Sequence, residues 1–308
     1  MVPPLARTDL RGVWAAVLLP LSPDDSIDLG RLADELAALL DARPSGIYTC
    51  GTAGEFHALD ENEFDQVTAA VAAACARRGA PFQLGASHMS GQISLDRIRR
   101  ASAFAPSAVQ VILPDWCPLS DDEVMRAVDR MACVAAPVPL VLYNPPHAKT
   151  RLKPRLIGRL AAEFSQLVGV KVAGGDASWY ARMRAAAGDL AIFVAGNRLA
   201  TGMAQGASGS YSNMACLSPA GAMSWYTAIL ADSDEALATE TRLNSFLDRH
   251  ILPLQREGYS NAALDKMLAA IGCWAPIGTR IRWPYRSVAE DRAAALAPVA
   301  RAELPGYF

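Results

Sequence analysis

The sequence predicts an α/β protein: a closed (β/α)8 TIM barrel followed by an α-helical domain. Three observations carry this. Eight apolar runs of strand length recur along the first two thirds of the chain, helix-periodic segments separate them, and beyond about Ser218 only helical periodicity continues. Regular alternation of strand and helix makes a parallel sheet, and eight repeats close it. An open doubly wound sheet would want GxGxxG straight after its first strand, whereas that strand runs into Leu18-Leu19-Pro20-Leu21-Ser22-Pro23. The 308 residues therefore divide into a catalytic barrel over 1–217 and a helical domain over 218–308.

The strands are expected at 13–19, 46–50, 82–86, 108–113, 139–143, 167–172, 190–195 and 207–212. Between them, Leu29, Leu32, Leu36, Leu39 and Leu40 line one helical face, and Phe64, Val67, Val71, Ala74 and Cys75 repeat the spacing. Ser120 with Glu123 is a capping-box pattern opening a third helix, with Val124, Val128 and Met131 behind it. Leu156, Ile157, Leu160 and Phe164 mark another. The tail reads as amphipathic helices at 218–230, 235–252 and 260–271.

Composition excludes several function classes. With 52% hydrophobic and 19% charged residues the chain can bury a large core, and its net charge of −2 has no like-charge block. Nucleic acid and anionic membrane are therefore not expected as partners. The N-terminus lacks a signal-peptide pattern and no apolar run reaches the ~18 residues of a membrane span, so a cytoplasmic location is the expectation. Six scattered cysteines without a CxxC pair and four histidines without ligand spacing indicate neither a disulfide framework nor a zinc site. The basic residues are lopsided, 25 Arg against four Lys (Lys149, Lys153, Lys171 and Lys266), which makes each lysine easy to weigh.

Chemistry in such a barrel sits at the C-terminal ends of the strands. After the second strand, Gly51-Thr52-Ala53-Gly54-Glu55 can turn successive N–H groups toward one point and hold a small carboxylate, with the Thr52 hydroxyl as a further donor; it also reads as a plain tight turn. The fifth strand ends in Tyr143-Asn144-Pro145-Pro146. Its phenol, with an unperturbed pKa of ~10, can pass a proton in a closed site or can simply plug the barrel rim. The sixth strand carries Lys171 among apolar residues with no acidic neighbour within four positions. Burying an unpaired ammonium is costly, so desolvation should lower its pKa and supply a neutral amine for attack on a carbonyl. The alternative is an ion pair across the barrel. The other three lysines lie in polar or proline-adjacent stretches and are expected at the surface. Gly196-Asn197-Arg198 after the seventh strand and the Gly/Ser-rich eighth, with Tyr211, leave room for a ligand and read equally as plain loop.

At these sites the chain resembles the dihydrodipicolinate synthase and N-acetylneuraminate lyase family, Schiff-base-forming class I aldolases. The ordered set is Gly-Thr-Ala-Gly-Glu at 51–55, Tyr-Asn-Pro-Pro at 143–146, Gly-Val-Lys at 169–171, the Gly-rich eighth strand and Arg280-Ile281-Arg282-Trp283-Pro284 near the end. The resemblance implies that Lys171 forms an imine with pyruvate or another 2-oxo acid, Tyr143 moves protons, and Thr52 with the Gly51 to Ala53 backbone holds the carboxylate. It implies no metal or cofactor beyond the covalent imine, and a homo-oligomer, dimer or tetramer.

Departures from the synthases narrow the expectation. Ala53 stands where they often carry a second threonine, Pro114-Asp115-Trp116-Cys117 where they place a relay tyrosine, and Ala148 where they place a carboxylate-binding arginine, with Lys149 beside it. An indole donates but cannot shuttle a proton. The Pro-x-Trp-Cys stretch looks more like the family's aromatic hydratase-aldolases, with Trp116 as a stacking wall or a packing residue. Arg198 is the candidate for an acidic or hydroxylated distal group, or else a surface arginine. The expected function is a Schiff-base lyase joining or splitting a 2-oxo acid and an aldehyde. The synthase reaction itself and a non-catalytic barrel that binds a 2-oxo acid are the alternatives, and no residue of the C-terminal helices signals chemistry.

Overall fold

In a computed structural model describing residues 3–231 and 234–308, eight parallel strands form a closed barrel in sequence order. They are β1 (Gly12–Ala16), β2 (Gly46–Thr49), β3 (Phe82–Gly85), β4 (Ala108–Val111), β5 (Leu140–Tyr143), β6 (Leu167–Lys171), β7 (Ala191–Ala195) and β8 (Gly209–Ser212). Each ladder is shorter than the apolar run that announces it, because the runs continue past the last paired residue (β1 to β4 and β6) or begin before the first (β5, β7 and β8). Val17, Leu18 and Leu19 after β1 are all buried outside the strand. The barrel closes between β8 and β1, where Trp14 registers with Tyr211.

Helices α1 (Leu29–Asp41), α2 (Glu61–Arg78), α3 (Gly91–Ser102), α4 (Asp121–Ala135), α5 (Pro154–Glu163), α6 (Ala177–Ala187) and α7 (Leu199–Ala204) fill the crossovers. Their starts are chemically marked: Asp28 accepts from the Arg31 N–H, and Asp60 with Glu63 and Ser120 with Glu123 form reciprocal capping boxes, the last as the sequence predicts. The apolar faces named above are buried except at two ends, Leu29 being 46% exposed and Phe164 half-buried, and Leu32, Phe64, Val67, Val71, Val124 and Ile157 are fully enclosed against the barrel.

After β8 the described chain is helical: α8 (Asn213–Leu217), α9 (Pro219–Leu230), α10 (Asp234–His250), α11 (Leu252–Arg256), α12 (Asn261–Gly272) and α13 (Glu290–Glu303). The single helix expected over 235–252 ends at His250 and restarts at Leu252, since Pro253 sits in the first turn of α11 and cannot continue an earlier ladder. Helix α13 escaped sequence reading because it is alanine-rich, carries Pro298 in its interior and buries little besides Ala293 and Ala300. Among the described residues no helix is long and apolar enough to cross a membrane.

Candidate active site

The β5–β6 register puts Tyr143 directly beside Lys171 at the C-terminal mouth of the barrel. A cavity of about 460 Å³ opens there. Its floor is the barrel (Thr52, Ala53, Tyr143, Lys171, Tyr211) and its roof is α10 to α12 (Leu247, Gln255, Asn261, Asp265). The Lys171 Nζ lies over three phenol rings, 4.3 Å from the centroid of Tyr143 and 5.1 Å from those of Tyr48 and Tyr211. Burial lowers its pKa to about 8, against the fields of Asp265 and Cys216, which favour the ammonium. No carboxylate lies within ion-pair distance of it among the described residues, so the cross-barrel salt bridge that the sequence leaves open is not formed. Burial raises the Tyr143 pKa, partly offset by the Thr52 hydroxyl beside it.

The loop after β2 is folded by two tight backbone bonds, Glu55 N–H to the Thr52 carbonyl and Phe56 N–H to the Gly51 carbonyl. Gly51 is required by space, since a Cβ there would stand 2.8 Å from the Tyr48 ring. The Thr52 and Ala53 amides donate to no protein acceptor among the described residues, and both residues line the cavity, which suits a bound anion.

Tyr211 reaches the cavity, but its hydroxyl donates to the Gln83 Oε1 at 2.6 Å and its ring stands edge-on to Tyr48, so it supports the wall. Arg198 follows β7 in a single 3-10 turn, Gly196–Arg198, is exposed, and lies where the main cavity meets a smaller hollow beside Gly174 and Tyr180. It forms no ion pair among the described residues. Asn197 is committed to Asn244, its side-chain amide donating at 2.8 Å.

Trp116 and Lys149 border neither cavity. Trp116 is 78% exposed, and the Lys149 ammonium donates to its carbonyl at 2.7 Å and sits over its ring, so the two expected distal contacts engage each other on the surface of the chain. A second cavity, about 450 Å³, shares Thr52, Tyr143, Gln255 and Asn261 with the first but is walled largely by Phe56, Met89, Ile112, Leu113, Tyr259 and Tyr285.

Two expectations need correction. Lys266 is not a surface lysine: its side chain is fully buried and pairs with the Glu55 carboxylate at 2.5 Å while donating to the Arg280 carbonyl. Glu55 in turn accepts from the Arg282 N–H, so the loop after β2, α12 and the 280–284 segment are bolted together. The C-terminal helices also do carry a chemically interesting group. Asp265 projects into the Lys171 cavity, and burial lifts its pKa to about 7, opposed by Lys171. Its signal was present: an Asp-Lys pair in the otherwise apolar run Ala262 to Ile271 is as anomalous as Lys171 in its strand. Cys216, buried in the same wall, was likewise missed.

Comparison with known proteins agrees with this architecture. Residues 9–302 match the dihydrodipicolinate synthetase family. A 4-hydroxy-tetrahydrodipicolinate synthase of Thermomicrobium roseum is 29% identical over 250 residues, 80% of this chain and 79% of that protein. A probable 5-dehydro-4-deoxyglucarate dehydratase of Methylobacterium radiotolerans is 25% identical over 87% of this chain and 88% of its own length. Among solved structures, the prophage protein YagE of E. coli K12 in complex with pyruvate superposes with a TM-score of 0.84 at 19% identity, over 96% of this chain and 98% of that one. The N-acetylneuraminate lyase of Mycoplasma synoviae gives 0.81 at 20% identity, over 96% and 98%. The matched span covers the barrel and the helices that roof it, and the chain belongs to the dihydrodipicolinate synthetase family, as one of its lyases.

Proposed function

We propose that the protein forms a Schiff base between Lys171 and the keto carbon of pyruvate or a related 2-oxo acid, and makes or breaks the neighbouring C–C bond. The observation that carries this is the pairing of a desolvated amine, pKa about 8, with a phenol on the adjacent strand at the mouth of one cavity. The Thr52 and Ala53 amides hold the carboxylate, with the Thr52 hydroxyl as an extra donor. Neutral Lys171 attacks the carbonyl, Tyr143 carries the proton to the departing oxygen, and water leaves. The iminium then accepts the electron pair released when the adjacent bond breaks, so the imine itself is the electron sink. A barrel that merely bound a 2-oxo acid would need neither the amine nor the phenol.

The cavities suggest two kinds of aldehyde partner. Arg198 at the Lys171 cavity, with Asn261 and Gln255 between the two cavities, favours a hydroxylated or acidic distal half. The aromatic walls of the second cavity, which also reaches Thr52 and Tyr143, favour an aryl aldehyde as in a hydratase-aldolase. Aspartate semialdehyde is the less favoured partner, because Ala53 and Ala148 stand where the synthases carry a threonine and a carboxylate-binding arginine. The exposed Met89 and Tyr285 at that second cavity, and the exposed Trp116 outside it, suit assembly into a homo-oligomer. The test is borohydride reduction in the presence of pyruvate, followed by mass spectrometry. A pyruvate adduct on Lys171 is expected, and no adduct with several 2-oxo acids in folded protein overturns the reading. Parallel turnover of hydroxylated and aryl aldols with pyruvate release then separates the two partner classes.

A further inference from the structure

The C-terminal helices hang one carboxylate over the reactive amine. Asp265 sits on α12 and lines the roof of the cavity whose floor holds Lys171 and Tyr143. Its carboxylate has neither hydrogen-bond nor ion-pair partner among the described residues. Its placement is nevertheless fixed. Ser260 caps the helix by accepting from the Ala263 N–H, and the next residue, Lys266, is held in the buried pair with Glu55. Successive helical residues diverge by about 100°, so anchoring Lys266 to the carboxylate-binding loop aims Asp265 at the cavity.

The groups facing Asp265 are Lys171 from β6, Tyr143 from β5, Tyr48 from β2 and Cys216 from α8, each of which feels its charge. Asp248 and Arg198 stand at the exposed rim of the same cavity. The phenols and the thiol are pushed up by burial and keep their protons at neutral pH. Tyr211 is tied to Gln83, and Tyr143 lies on the carboxylate side, beside Thr52. That leaves Asp265 as the interior carboxylate, opposite the barrel floor, able to take a proton from carbon.

On the Schiff-base reading above, we propose that Asp265 is the acid–base residue for the carbon next to the imine. Its carboxylate removes a proton from that carbon, the C–H electron pair becomes the C=C bond of the enamine, and the C=N pair returns to the Lys171 nitrogen. In the cleaving direction the carboxylic acid gives the proton back to the enamine carbon, and hydrolysis of the imine releases the 2-oxo acid. A pKa lifted to about 7 suits a group that must do both near neutrality.

Pyruvate alone tests this. Wild type, Asp265→Asn, Asp265→Ala and Asp265→Glu are incubated with pyruvate in D2O, and loss of the methyl proton signal is followed by NMR while borohydride trapping on Lys171 reports the imine. The expected result is that trapping persists in every variant, whereas exchange per trapped imine falls ~10²-fold or more in the Asn and Ala variants and is partly restored by Glu. Exchange per imine should rise with pH through the region of 7 in the wild type and be flat in Asp265→Asn. Exchange within about threefold of wild type, with trapping intact, overturns the proposal, because it falls well short of an acid–base contribution. Failure of the wild type to trap pyruvate overturns the Schiff-base reading instead, and this proposal with it.

Discussion

Lys171 and Lys266 make an instructive pair. Both sit in apolar segments, and burial lowers the pKa of both. Lys266, however, has the Glu55 carboxylate at 2.5 Å and the Arg280 carbonyl as acceptors, and the field of Glu35 besides. Lys171 has aromatic faces around it and a carboxylate, Asp265, that is near enough to be felt and too far to pair. Burial alone therefore does not distinguish scaffold from chemistry. Commitment does: a satisfied ammonium holds the structure together, and an unsatisfied one is free to lose its proton and react.

Replacing each lysine by methionine should break the comparison open. Lys171→Met removes the nucleophile, so borohydride trapping of pyruvate and turnover should vanish, while the thermal midpoint holds or rises because an unpaired buried amine is gone. A variant that still trapped pyruvate would place the amine elsewhere. Tyr143→Phe should lower turnover by ~10²–10⁴ with the protein still folded, measured as kcat on any cleaved 2-oxo acid. Lys266→Met should show the opposite profile. It leaves Glu55 buried without its partner and costs about 3–5 kcal/mol in denaturant unfolding. Pairing it with Glu55→Gln should recover part of that loss, and an equal loss in single and double variants would mean that the pair is not what holds α12.

Two finer measurements sharpen the contrast. Trapping in the wild type should climb with pH through about 8, since the folded site disfavours the ammonium and the neutral amine appears below the usual lysine range. A midpoint near 10 would show that Lys171 is as solvated as a surface lysine. Trp116→Ala should change trapping least, by less than about threefold, since the side chain is exposed and touches neither cavity. If it instead impairs an aryl aldol more than a small one, the residue reaches the substrate in the assembled protein.

Much of this was readable in the sequence, for physical reasons that can be named. Strand length, helical period and Ser120-x-x-Glu123 are local signals, and the barrel follows from their order. Lys171 was legible because an ionised side chain in a parallel strand violates the apolar rule. The same rule applied to α12 would have found Asp265 and Lys266, but a helix has a polar face to which charged residues are assigned by habit. The Lys266 partner lies 211 positions away in the loop after β2, and the Tyr211 partner, Gln83, lies 128 away across the barrel, separations at which no periodicity speaks. Lys149 and Trp116 misled because their neighbours in sequence belong to the mouth of the barrel, while their side chains turn to each other.

Glu55 ties the anion loop to Lys266 and to Arg282, both contributed by the last fifty residues of the chain. During synthesis the eight strands are complete by Ser212, long before those two partners emerge. A nascent chain can therefore assemble its sheet while the pocket still lacks a ceiling and the loop still lacks its clamp. Truncation before Arg282 should accordingly disable a cradle that lies 227 positions upstream of it.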